Sequence, residues 1–207
     1  MQIIRDIATI RSLQEQYPTD LFFSAEFKRY HYCLFQKNEY LQTPDEPNAD
    51  YYIVLSGSVQ LFTLSPDGNK TPICSISEMG CIGIVELCYR STPAYAMANT
   101  DTICLVLSME DCRGTLKEDL SFLRFNLEIF AQQLSFTSYL NFASSETADR
   151  LLFYLRSKPD HRISSVEDTT YALRCSRSSL QRALAQLLDS GAIKKVGKGA
   201  YQLSKTE

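Results

Sequence analysis

Residues 164–203, SSVEDTTYALRCSRSSLQRALAQLLDSGAIKKVGKGAYQL, restrict the fold more than any other part of the chain. Leu180, Ala183, Leu184, Leu187 and Leu188 recur at i, i+3, i+4, i+7 and i+8, which gives one helix a single apolar stripe. Ser176 is placed to cap that helix, since its hydroxyl can accept a free amide of the first turn. Gly191 falls where a left-handed residue ends a helix. Val166, Ala172 and Leu173 form the apolar side of a shorter helix just before it. The sequence predicts helix, tight turn, helix, and then a two-stranded wing over Ile193–Val196 and Ala200–Leu203 with a glycine turn.

The face of the second helix opposite its stripe carries Arg177, Ser178, Gln181 and Arg182. Arg and Gln match the base edges of guanine and adenine, and serine hydroxyls bond phosphate oxygens. Such a set on the first two turns suits a helix that lies in a major groove. Lys194, Lys195 and Lys198 sit on or beside the wing turn, where they can meet a phosphate backbone. The charge is divided accordingly. Residues 146–207 hold 11 Lys/Arg against 7 Asp/Glu, a net +4, which leaves 10 against 17, a net −7, for residues 1–145. The basic tail, not the acidic front, is the part able to approach phosphate.

The front part has a different period. Residues 3–16 read as a short helix ending before Pro18. Short apolar or alternating runs follow at Phe27–Phe35, Tyr51–Leu55, Ser58–Leu64, Pro72–Ile76 and Thr102–Leu107, separated by turn residues. This spacing predicts an antiparallel sandwich or barrel. Ser65-Pro66-Asp67-Gly68 is a hairpin turn, with Pro presetting φ and Gly accepting a positive one. Neither face of the run from Val59 to Leu64 is strongly polar, so both are expected to be buried. From Asp119 the period becomes helical. Leu120, Leu123, Leu127, Phe130, Leu134 and Thr137 step by three and four, a heptad-like seam on a helix of roughly 37 Å that reaches Ala143. Glu146–Arg156 is a further helix, with Ala148, Leu151, Leu152 and Leu155 on one side and Lys158-Pro159-Asp160 stopping it.

The seven cysteines are scattered, odd in number and without a CxxC pair, as expected of reduced cytosolic thiols. Two isolated histidines argue against a His-based metal site and against a cupin-type barrel enzyme. No nucleophile–base pair suggests catalysis, so the chain is read as a non-enzyme with no cofactor. No apolar run is long enough to span a membrane, and the first residues lack the core of a signal peptide, which makes a cytoplasmic protein the expectation.

The order of β-barrel, long helix and winged helix-turn-helix resembles the Crp/Fnr family of bacterial transcription regulators over nearly the whole chain. Three segments carry the resemblance. Tyr51-Tyr52-Ile53-Val54-Leu55-Ser56-Gly57-Ser58-Val59 is similar to a barrel strand of the family, Gly80-Cys81-Ile82-Gly83-Ile84-Val85-Glu86-Leu87 to the start of its phosphate-binding cassette, and Cys175-Ser176-Arg177-Ser178-Ser179-Leu180-Gln181-Arg182 to its recognition helix. The resemblance implies an α+β fold in three parts. Residues 1–118 would form a cyclic-nucleotide-binding-like sensor barrel of the jelly-roll type (a double-stranded β-helix). Residues 119–143 would be the dimerisation helix, with Leu120, Leu123, Leu127, Phe130 and Leu134 at the seam, and 144–207 the DNA-binding domain. It further implies a homodimer on a palindromic double-stranded operator, an unknown small-molecule effector, and RNA polymerase as a partner. Arg177, Ser178 and Arg182 would face bases, with Gln181 added by its chemistry. Ser176 and Ser179 would hold phosphate, as would Lys198 of the wing. The family often has Glu where Ser178 stands, so a different operator is expected.

The effector pocket by this resemblance would draw on Gly83, Ile84, Glu86, Arg90 and Thr92. The family's ribose-binding Glu falls on Ile84, with Glu86 two residues late, and its Arg-Ser pair falls on Thr92 and Pro93, leaving Arg90 as the nearest cation. A buried cyclic phosphate without Arg is costly, so cAMP is not the expected ligand. Two alternatives stay open. One is a redox-responsive member of the family, through a thiol switch at Cys81 and Cys88 or through a cluster held by Cys74, Cys81, Cys88 and Cys104. The other is a small-molecule-binding barrel whose tail binds proteins.

Overall fold

The computed structural model describes residues 1–44, 50–89, 94–142, 146–158, 160–163 and 165–204, with 136–142 as backbone only. The chain divides into two compact units, Met1–Gln133 and Leu134–Glu207.

The first unit begins with a short strand, β1 (Gln2–Ile3), and helix α1 (Ile7–Gln16). The helix starts at Ile7, not at residue 3, because Asp6 caps it by accepting the Thr9 amide at 2.8 Å, and the residues before it pair with the next strand. Then come β2 (Tyr30–Phe35), β3 (Tyr40–Gln42), β4 (Asp50–Ser56), β5 (Ser58–Leu64), β6 (Lys70–Ser77), β7 (Cys81–Ile82), helix α2 (Ile84–Cys88), β8 (Tyr95–Ala98), β9 (Thr102–Ser108) and helix α3 (Met109–Arg113). Two antiparallel sheets result, in the orders β1-β2-β9-β4-β7 and β3-β8-β5-β6. Among the described residues the sheets do not join into one, so the expected barrel is an open two-sheet structure, and the α+β class holds. Each sheet still ends in edge strands that hydrogen bonding leaves open.

Two cores follow from alternation along β4 and β9. Tyr52, Val54, Cys104 and Val106 point between the sheets, against Phe35, Val59, Ile76 and Ala96. Tyr51, Ile53, Leu105 and Leu107 point to the other face, where Phe22, Phe23, Cys112, Phe122 and Phe125 cover them. A central strand buried on both faces must be apolar throughout, which explains the unbroken run from Tyr51 to Leu55. On β5, Val59, Gln60 and Phe62 are buried, but Leu61 is half-exposed and Leu64 is exposed, so burial on both faces covers only part of the strand. Gly68, at φ 78°, closes the β5–β6 hairpin, with its amide on the Ser65 carbonyl at 2.9 Å.

Helix α4 (Leu120–Phe142) is about 35 Å long. Asp119 caps it by accepting the Phe122 amide at 3.0 Å and ties it to the Ser24 amide at 2.9 Å. Phe122, Phe125, Asn126 and Ile129 are buried in the first unit. The heptad seam is a different stripe. Leu120, Leu123, Leu127, Phe130 and Leu134 are all exposed, Leu127 by 67% and Phe130 by 51%. The side chain of Thr137 and all of Ala143 lie outside the described residues.

The second unit holds α5 (Thr147–Ser157), β10 (Arg162–Ile163), α6 (Val166–Ala172), α7 (Arg177–Asp189), β11 (Ile193–Gly197) and β12 (Ala200–Leu203). The wing has three strands, β10-β12-β11, where two were expected. β10 is only two residues long and exists through its pairing with β12, which no local pattern encodes. Leu151, Leu155, Leu173, Leu180, Ala183, Leu184, Leu187 and Ile193 form the core. Leu188, expected in the stripe, is 36% exposed at the helix's last turn.

Candidate DNA interface and sensor cassette

The short turn between α6 and α7 contains no glycine, yet Arg174 adopts a left-handed φ of 49°. That conformation is sterically uncommon for a side chain with a Cβ. The turn delivers Ser176 to the N-cap of α7, where its Oγ accepts the Ser179 amide at 3.1 Å. The same oxygen lies 2.9 Å from the hydroxyls of Ser178 and Ser179, and Arg182 reaches Ser179 Oγ at 3.5 Å. The first turn of α7 holds no acidic residue, so the positive end of its dipole is not neutralised there.

Packing of the stripe sets the direction of everything else on α7. With Leu180, Ala183, Leu184 and Leu187 buried, Arg177, Ser178, Gln181 and Arg182 are exposed together on the other side. Ser179 is half-buried at its edge. Lys194, Lys195 and Lys198 are exposed on the wing, whose turn is closed by Gly199 at φ 71°. Cys175 packs, half-buried, on the core of this unit, as a small apolar residue would.

In the first unit the cassette is built on a glycine. Gly83 has φ 104°, and a Cβ there would lie 3.3 Å from Tyr51 Cα. It opens the five-residue helix α2. Ile84 packs half-buried on the outer core of the sheet. Glu86 is buried, and its carboxylate accepts a hydrogen bond from Gln42 Nε2. The Glu86 carbonyl accepts from Arg113. Gln60, also buried, donates to Asn99 Oδ1. No sequence motif marks Gln42, Gln60, Asn99 or Arg113; Gln42 and Arg113 meet Glu86, and Gln60 meets Asn99, through contacts distant in the chain. Arg90 and Thr92, the other expected pocket residues, lie outside the described residues.

None of the seven cysteines is in a disulfide. Burial pushes the Cys81 thiol up to about 11, although a hydrogen bond with Tyr51 pulls the other way. Cys88, at the end of α2, is exposed. Among the described residues no three His, Cys, Asp or Glu side chains gather where they could hold a metal ion, so Cys74, Cys81, Cys88 and Cys104 do not form the four-cysteine group that the cysteine positions left open.

One further polar contact joins the cassette side of the sheet to α4. The Tyr51 hydroxyl donates to Asn126 Oδ1 at 2.7 Å, and Asn126 Nδ2 donates to the Phe122 carbonyl at 2.8 Å. Both side chains are buried.

Residues 33–119 match the family model of the cyclic nucleotide-binding domain. The chain as a whole has the fold of the Crp/Fnr transcriptional regulators. It superposes on FixK2 of Bradyrhizobium japonicum with a TM-score of 0.69 at 20% identity, over 86% of this chain and 94% of that one. The CRP-family transcriptional regulator TTHB099 of Thermus thermophilus gives 0.60 at 19% identity, over 83% and 91%. The c-di-GMP-responsive global regulator CLP of Xanthomonas campestris gives 0.61 at 16% identity, over 95% and 100%. No curated protein matches the chain by sequence. No described helix is long and apolar enough to cross a membrane.

Proposed function

We propose that this protein is a homodimeric transcription regulator that reads a palindromic DNA duplex with α7 and responds to a small-molecule effector through its first unit. The observation that carries the reading is the exposed face of α7, where Arg177, Ser178, Gln181 and Arg182 stand clear of the protein's own packing. Arg177, Gln181 and Arg182 supply the donors and acceptors for base edges, and Ser178 stands among them. Ser176, Ser179, the N-terminus of α7 and Lys198 supply phosphate contacts. The two reading helices of a dimer would have to lie about 34 Å apart to enter successive major grooves. The exposed seam of α4 supplies an apolar surface for the twin, and RNA polymerase would be the downstream partner of a bound dimer.

The effector we propose is not a cyclic nucleotide. Ile84 stands at the ribose-binding position, and the displaced Glu86 is buried against Gln42, so its carboxylate is already engaged. A carboxylate beside the cassette would repel a cyclic phosphate.

The test is selection of preferred duplexes from a random pool, followed by titration of the selected site. Arg177→Ala and Arg182→Ala should each weaken the complex by about 1–3 kcal/mol and relax sequence choice, while the salt dependence stays steep. Unchanged affinity in both variants, or binding insensitive to salt, would overturn the proposal and favour a protein-binding role for the second unit.

A further inference from the structure

Cys33 and Cys104 are distant in the chain but directly opposite on adjacent antiparallel strands, Cys33 on β2 and Cys104 on β9. Opposed residues of such a ladder point to the same face, and both side chains belong to the core between the two sheets. Their Cα atoms are set by the ladder at about 4.5 or 5.5 Å, depending on the pair type. Either value falls inside the span of a disulfide, roughly 4.4–6.8 Å. The Cys104 thiol also senses its partner: burial pushes it up, and the neighbouring Cys33 pushes it further. Among the described residues no other two cysteines are ladder partners.

We propose that Cys33 and Cys104 are a redox site, forming an intramolecular disulfide across β2 and β9 when the folded protein meets a low-molecular-weight disulfide. One thiol, as thiolate, attacks a sulfur of the oxidant, and the oxidant's other half leaves as a thiolate. The second protein thiolate then displaces the remaining half and closes the S–S bond. Two protein thiols lose two protons and two electrons, and the oxidant is reduced to two thiols.

The geometry sets the character of the bond. Opposed Cβ atoms lie about 4.5–5.5 Å apart, whereas a disulfide prefers about 3.8 Å. Closure therefore draws the two strands together, and a bond under such strain is easily reduced. Both thiols are fully buried and burial pushes both up, so the reaction waits on opening of the sheet and is slow beside that of the exposed Cys88. The site is independent of the DNA reading, because its readout is a covalent bond.

The experiment incubates the full-length native protein with oxidised glutathione, traps free thiols with an alkylating agent in denaturant, and maps peptides by mass spectrometry without reduction. Circular dichroism follows the fold throughout. The expected result is one cross-linked pair containing Cys33 and Cys104, two hydrogens lighter than the free peptides and cleaved by dithiothreitol. It persists in Cys81→Ala and Cys88→Ala. Glutathione on Cys88 in the same wild-type sample shows that the oxidant acted. Recovery of Cys33 and Cys104 as alkylated thiols after Cys88 is fully converted would overturn the proposal. So would a link that forms only once the circular dichroism signal is lost.

Discussion

Replacing Leu127 by Asp separates the stability of one protomer from that of the proposed dimer. Leu127 is 67% exposed, so a single chain has gained only about a third of what its burial can provide. Full burial of a leucine is worth about 1.5–3 kcal/mol, leaving about 1–2 kcal/mol to be gained at the seam by each protomer. In a two-fold pair the residue counts twice, for about 2–4 kcal/mol. Leu127→Asp removes that and brings two carboxylates into an apolar seam, adding several kcal/mol of desolvation and repulsion. The combined loss of at least about 4 kcal/mol raises the dimer Kd by roughly a thousandfold. The protomer itself should lose no more than about 1 kcal/mol, from helix propensity and a surface change. Sedimentation equilibrium reads the first quantity, and urea unfolding at concentrations below the dimer Kd reads the second. Phe122→Asp, on the buried stripe of the same helix, should instead unfold the first unit. A Leu127→Asp protein that dimerises as tightly as wild type, or a monomeric one that still binds the selected duplex at full strength, would refute the reasoning.

Two other outcomes concern the first unit alone. Tyr51→Phe leaves the buried Asn126 Oδ1 without its donor, so it should cost about 1–3 kcal/mol in urea unfolding, and restoring the apolar match with Asn126→Leu should recover part of it. Burial raises the Asp119 carboxyl, but hydrogen bonds from Ser24, Phe122 and Ser121 outweigh this and hold it below its usual value. A depressed folded-state pKa adds stability above the unfolded value of about 4, and that stability is lost as pH falls through the folded value. Urea midpoints measured from pH 5 downward should therefore fall less steeply in Asp119→Asn than in wild type.

Local pattern carried the second unit well, because its helices are amphipathic and their caps are short-range chemistry. Leu180 to Leu187 settled which way Arg177, Gln181 and Arg182 would face, and Ser176 capped α7 as its position suggested. The Leu127 stripe was equally plain, although Phe122 and Phe125, which anchor the same helix, form a second stripe that the heptad spacing passed over. The two-residue strands β1, β7 and β10 left no trace in the sequence, since pairing rather than propensity makes them strands. The same holds for the buried polar pairs of the first unit. Gln42 meets Glu86 of α2, and Gln60 meets Asn99 across the β5–β8 pair, only after strands distant in the chain have paired. Position beside the cassette directs the redox expectation to Cys81 and Cys88, whereas register is what brings Cys33 to Cys104. Register is a long-range property, and no window of the sequence contains it.

Phe122 and Leu123 are consecutive on α4, but one side chain is interred in the sheet's outer core and the other is open to water. Their two stripes lie about a third of a turn apart around one stiff cylinder. No roll of that cylinder can serve both: a turn that seats the phenylalanines more deeply swings every leucine of the outer row by the same angle. In the proposed dimer, a first unit whose interior tightens or loosens would thus re-aim the row of leucines offered to the twin, with no hinge required between the two stripes.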